Sequence, residues 1–142
     1  MIRGARIVAL LVTVAAAAAS CGGDGNGGGG GGSESPGDPA AEAPEPYDDP
    51  DLASGQELFE ANCASCHGVD LNGTDTGPPF LHEFYVPSHH GDITFFMAAE
   101  QGVQPHHWDF GAMAPVPTVD RDDIQLIVDY VRARQEDAGI TG

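Results

Sequence analysis

Within the run GQELFEANCASCHGVD, Cys63 and Cys66 stand two residues apart and His67 follows at once. That arrangement is the attachment signature for a covalent haem. One helical turn between the thiols matches the porphyrin edge that carries the two vinyl groups, where thioether bonds form. The adjacent imidazole is then placed under the iron as proximal ligand. Two other chemistries use similar residues. A zinc knuckle needs two further cysteine or histidine ligands at comparable spacing. A thioredoxin-like redox pair follows a strand and opens a helix, whereas here the helical pattern comes before the cysteines.

A chain organised by this motif folds around something besides its own side chains. The stretch from about Asp51 to about Asp137 reads as one domain of under ~100 residues, a size at which extra stapling is often needed. A large apolar plate fixed covalently at the centre supplies that staple, and it accounts for the short glycine- and proline-rich loops.

The preceding residues belong to no fold. Arg3 and Arg6, the apolar stretch Ile7 to Val14 and the alanines after it make residues 1–20 an export leader. Ala18-Ala19-Ser20-Cys21 resembles a lipobox, with Ala18 where a large aliphatic residue is usual. Cleavage there makes Cys21 the lipid-modified first residue; ordinary secretory cleavage leaves it a free thiol. With one of the three cysteines for lipid and two for haem, no disulfide is expected, although the compartment is oxidising. Residues 21–50 are glycine-rich, then rich in proline and acid, and are expected to form a disordered tether. Its glycine-rich part, if about 25 residues long, reaches roughly 25–30 Å. The expected organisation is therefore leader 1–20, tether 21–50 and domain 51–142.

Charge excludes one class of partner. Five arginines and no lysine face 22 acidic residues, for a net charge of −17. Loss of a leader carrying Arg3 and Arg6 takes this to −19. Phosphate-directed nucleic-acid binding is excluded. The acidity suits either encounter with a basic patch on a partner or solubility in a salty environment.

The apolar pattern is helical throughout, and the expected fold class is all-α. Gly55, Phe59 and Asn62 share a stripe flanked by Leu52 and Leu58, with Ser54 as a possible N-cap and Glu57 three residues on. Asp92 to about Gln101 forms a helix stopped by Gly102. In VDRDDIQLIVDYVRARQED, Asp120 is the N-cap, and Ile124, Ile127, Val128 and Val131 form the apolar stripe beside Leu126 and Tyr130. Arg132 and Arg134 suit the negative end of that helix.

Residues 52–137 resemble a monohaem class I cytochrome c. The match runs through Gly55, Phe59, Cys63, Cys66, His67 and Gly68, and through Tyr130 at the aromatic position of the last helix. The resemblance implies three to four helices around one covalent haem c, with Gly55, Phe59 and Tyr130 meeting where the first and last helices cross. It also implies a distal methionine on the loop before the last helix. Met113, in WDFGAMAPVPTVD, occupies that place, whereas Met97 lies among phenylalanines in a helix and reads as core or haem-pocket packing. Histidine is the competing ligand, from His82, His89, His90, His106 or His107. His82 is expected to be partly buried, and the paired histidines offer a second metal site for copper or zinc. By the same resemblance a proline carbonyl, that of Pro78 or in another register Pro79, accepts from the proximal imidazole. Trp108 either donates to a propionate or lines the pocket.

These residues together lead to the expectation of a lipid-anchored electron carrier, exported to the outer face of the cytoplasmic membrane or the periplasmic side. It would cycle between ferric and ferrous haem and exchange electrons with redox proteins. Its rivals are the electron-accepting haem subunit of an extracytoplasmic dehydrogenase or oxidase, a haem-based ligand sensor with an open sixth site, and a histidine-rich metal-binding protein. No catalytic constellation stands in the chain, and the glycine run at 22–32 lacks the lysine of a phosphate loop.

Overall fold

The computed structural model describes residues 41–142. The leader, Cys21 with its expected lipid, and the tether as far as residue 40 lie outside the described residues. Helix α1 spans Pro50–Asn62, α2 Ala64–His67, α3 Asp92–Gln101 and α4 Arg121–Asp137, with one turn of 3₁₀ helix at Glu83–Tyr85. Among the described residues there is no strand, only an isolated antiparallel bridge between Val103 and Met113. None of these helices is long and apolar enough to cross a membrane.

Two starts differ from expectation. The N-cap of α1 is Asp49, whose carboxylate accepts from the amides of Asp51 and Leu52, with Pro50 beginning the helix. Ser54 lies a turn inside and donates its hydroxyl to the Pro50 carbonyl. Aspartate before proline wins because proline lacks the amide that would otherwise go unpaired at the first helical position. Ordered packing also begins before Asp51. The Tyr47 ring stands edge-on to Tyr130 at 6.2 Å, the Tyr47 hydroxyl bonds to Asp137, and Gln56 Nε2 donates to the Pro44 carbonyl at 2.7 Å. Residues 44–50 thus form a strap over the helix crossing rather than the end of a tether. In α4, Asp120 caps as expected and makes a reciprocal box with Asp123.

The helices meet mainly where α1 crosses α4. A Cβ on Gly55 would collide with the Leu126 carbonyl and would lie 2.9 Å from Tyr130 Cβ. The two backbones therefore touch there, and only hydrogen fits. Phe59 and Tyr130, both fully buried, pack ring to ring at 5.7 Å. Leu71, Phe80, Ile127 and Val131 complete this cluster, while Phe96, Ile124 and Val128 form a second one between α3 and α4. Leu71 is also wholly buried, although its φ of 64° is left-handed. Its carbonyl accepts from the amides of both Phe80 and Leu81, and burial of the side chain offsets the backbone strain.

Arg132 departs from its expected role. It does not spend its charge on the end of α4. Its guanidinium donates to Asp92 at 2.8 Å, to the Tyr85 carbonyl at 2.6 Å and to the His90 carbonyl at 2.5 Å, and it lies over the Phe95 ring. One cation thereby ties α3, the 3₁₀ turn and the histidine loop to α4.

Tyr130 supplies a pH prediction. Burial is the main cause that pushes its phenol up to about 12, and no partner among the described residues reaches its hydroxyl. Its folded pKa lies above the unfolded value of about 10. The folded state therefore holds the proton more tightly, and the stability this gives is present below pH ~10 and lost as pH rises toward about 12. In Tyr130→Phe, thermal midpoints recorded from pH 9 to 12 should fall less steeply than in the wild type. At pH 7 the variant should be no less stable, because the hydroxyl it loses has no hydrogen bond to give up. An identical alkaline fall in both proteins would remove Tyr130 as the cause.

Candidate haem site

The CASCH segment is shaped by the turn between α1 and α2. Cys63 ends α1 and opens the single turn α2, which stops at Gly68 with φ 79°. The chain then doubles back on the motif. Gly73 N donates to the His67 carbonyl at 2.8 Å and Thr74 Oγ1 to the Cys66 carbonyl at 2.7 Å. A Cβ on Gly77 would lie 2.5 Å from the Cys66 carbonyl, so glycine is needed for this close approach.

His67 is buried, with 7% of its surface exposed. Its Nδ1 lies 2.9 Å from the Pro78 carbonyl, and the register is that of Pro78 rather than Pro79. A carbonyl only accepts, so Nδ1 carries the proton and Nε2 is left as the ligand atom. Burial lowers the His67 pKa and so favours the neutral ring, and this hydrogen bond partly offsets the shift. Phe80 stacks on the imidazole at 4.2 Å and 16° between planes, restraining its rotation.

These groups border a cavity of about 630 Å³, within the roughly 300–1,000 Å³ common for cofactor sites. Its wall includes Cys63, His67, Pro78, Trp108 and Met113, and the aromatic and aliphatic side chains of Phe80, Tyr85, Phe95, Val103 and Ile127. Cys66 is exposed and does not line it. Both thiols are free of disulfide. Burial, with Cys66 close by, pushes the Cys63 thiol up to about 11. That is opposite to the depressed pKa of a working redox pair.

Met113 reaches this wall through backbone pairing. Its amide and carbonyl exchange hydrogen bonds with Val103 at 2.9 and 3.0 Å, and Val116 N donates to the Ala99 carbonyl. A Cβ on Gly102 would lie 2.5 Å from the Met113 carbonyl. Gly102, at φ 77°, therefore both ends α3 and admits the methionine loop against it. Met97, expected in the core or against the pocket, is 51% exposed and lies at the cavity wall. The Trp108 ring lies nearly parallel to Tyr85, 7° between planes and 6.1 Å apart.

The histidines divide. His82 Nδ1 accepts from the Phe84 amide at 3.1 Å and caps the 3₁₀ turn. His89, His90, His106 and His107 gather on the cavity wall, 16 to 18 residues apart in sequence across the pairs that meet. Burial, together with neighbouring imidazoles, lowers the pKa of His90 and His107.

A neutral buried imidazole, a thioether and a cysteine on one apolar cavity are a donor set that fits haem c. The sequence comparisons agree with the geometry, since the cytochrome c family matches residues 52–135. The chain belongs to the cytochrome c family. Its members carry covalent haem c and transfer electrons, and this chain has the small all-α fold with one attachment motif. It is 31% identical over 94 residues to the cbb3-type cytochrome c oxidase subunit CcoP of Rhodobacter capsulatus, covering 63% of this chain and 31% of that subunit. The CcoP sequence of a named strain of that species is 29% identical over 93 residues, with the same coverage. Cytochrome c-550 of Virgibacillus halodenitrificans is 65% identical over 23 residues, 16% of this chain and 66% of that one. The chain spans about a third of the length of the oxidase subunits it matches. No solved structure matches it.

In this cytochrome the haem supplies a one-electron couple, and the protein supplies the holding groups. Cys63 and Cys66 would carry the thioethers and His67 Nε2 the proximal bond. Pro78 fixes the ring that presents Nε2. The Val103–Met113 bridge limits where the thioether can go, and Phe80, Tyr85 and Phe95 keep water from the wall.

Proposed function

We propose that this cytochrome is a membrane-tethered one-electron carrier in an extracytoplasmic respiratory or dehydrogenase chain, with His67 and Met113 as axial ligands and Cys21 as lipid anchor. The observation that carries the reading is that His67 and Met113, 46 positions apart, border one cavity, each positioned by backbone contacts. An iron held by both in either oxidation state changes little on electron transfer, and the pairing raises the potential. The acidic surface favours a donor or acceptor with a basic docking face, so association should weaken with salt.

A second reading is supported by the likeness to CcoP. The same domain would serve as the haem subunit of an oxidase complex, receiving electrons on behalf of a larger enzyme. The two differ in what accompanies the protein through detergent extraction.

Full-length protein matured in a host that attaches haem should be red and membrane-bound, and it should keep its pigment in acidified organic solvent. Its ferric spectrum should show the weak far-red sulfur-to-iron band, and carbon monoxide should bind slowly. Pigment extracted by acid would refute thioether attachment. A ferric form without the far-red band would refute Met113 ligation, and an untethered soluble product would refute the anchor. A stable companion oxidase or dehydrogenase would favour the subunit reading over the free carrier.

A further inference from the structure

The histidine group on the cavity wall is built more carefully than a surface cluster requires. His89 and His90 come from the turn before α3, and His106 and His107 from the loop after it. His89 Nε2 lies 3.3 Å from His107 Nε2, and His90 Nε2 lies 3.4 Å from His106 Nε2. The ligand nitrogens of His89, His90 and His107 all fall within 4.8 Å of one another. With metal–nitrogen bonds of about 2.0–2.1 Å, neighbouring ligands of a tetrahedral site stand about 3.3–3.4 Å apart. The two short separations match that edge.

The tautomers sharpen the case. His90 Nδ1 faces the Phe84 carbonyl, and His106 Nδ1 faces the Gln104 carbonyl at 3.1 Å. Both carbonyls accept only, so both Nδ1 atoms carry protons. In the neutral rings both Nε2 atoms then present lone pairs to each other with no proton between them. Such a contact is repulsive unless a metal ion or a shared proton lies between them. Ligating histidines characteristically fix the far ring nitrogen on a backbone carbonyl in this way. The loop itself is held from behind, because Arg132 donates to the His90 carbonyl.

We propose that His89, His90 and His107 bind one divalent first-row transition-metal ion at the wall of the haem cavity, with His106 standing beside His90 outside that trio. An all-imidazole set suits Zn(II), Cu(II) or Ni(II), and Cu(II) should bind most tightly of the three. The rival use of these side chains is hydrogen bonding to the haem propionates.

The test uses haem-loaded full-length protein, washed with a chelator that leaves the covalently held iron in place. Titration with Cu(II) by calorimetry should show one site per haem, with haem counted by pyridine haemochrome. Electron paramagnetic resonance of the copper should show coupling to several nitrogens. In the double variant His89→Ala/His107→Ala, binding should weaken at least 100-fold. Equal uptake by wild type and variant would overturn the proposal, since the acidic surface would then be the binder. So would the absence of Cu(II) uptake by the haem-loaded wild type, which would assign the histidines to the propionates. Metal stoichiometry does not depend on the axial-ligand assignment, so the two can fail separately. A rise in the haem midpoint on Zn(II) addition, present in the wild type and absent in the double variant, would place the dication close to the iron as well.

Discussion

Gly55→Val is expected to lower the stability of the haem-loaded protein by ~3 kcal/mol or more, the upper end of what overpacking costs. At this position a Cβ would run into the Leu126 carbonyl and press on Tyr130 Cβ at 2.9 Å. The first obstacle is backbone in the middle of α4, so no rotamer change relieves it. The helices must move apart, and that opens the Phe59–Tyr130 contact on which the main cluster is centred. Gly55→Ala is the sharper comparison. Within a helix alanine is favoured over glycine by about 1 kcal/mol, so a crossing with room to spare would gain stability from the change. A net loss is expected instead, of roughly 1–3 kcal/mol. Guanidinium unfolding of both variants measures this, and an alanine variant as stable as the wild type would mean that α1 and α4 do not touch at Gly55.

Met113→Ala is expected to lower the midpoint potential by about 0.1 V or more, well inside the ~0.8 V range over which axial ligands act. A thioether favours the ferrous state, and its removal leaves water or a nearby imidazole, both of which favour ferric iron. The far-red band should disappear and carbon monoxide binding should accelerate. The Val103 bridge is made by backbone atoms, so alanine at 113 can keep it and the fold should persist. Potentiometric titration with spectra at each step distinguishes the outcomes. An unchanged potential together with a retained far-red band would exclude Met113 as the ligand. Loss of the band with formation of a bis-imidazole spectrum would show that the histidine cluster can reach the iron once the methionine is gone.

The two substitutions bear on different parts of the chain's legibility. The stripes that carry Gly55 and Phe59 on α1 and Ile127 and Val131 on α4 are readable from spacing, because regular helices put residues four apart on one face; that Gly55 and Phe59 meet Tyr130 is what the family resemblance implies. Asp120 and Gly102 are readable for the same reason, since helix ends have a local chemistry. The start of α1 is less so. Ser54 and Asp49 are both competent caps, and the choice fell to the residue whose successor is proline. Leu71 is not readable at all, because a left-handed leucine is disfavoured locally and persists only through what its side chain buries. The value of Arg132 is equally hidden, since its hydrogen-bond partners outside α4 lie 40 to 47 positions away.

By itself the sequence determined the attachment chemistry, the helical class and the order of the helices, because thioether spacing, apolar periodicity and capping all act within a few residues. Only the tertiary structure decided which carbonyl faces His67, how Met113 is pinned to the end of α3, that residues 44–50 pack on the helix crossing, and that four histidines from two loops converge. Those outcomes depend on contacts between distant segments. Such contacts are set by how backbones close over a shared cavity, and no local pattern encodes them.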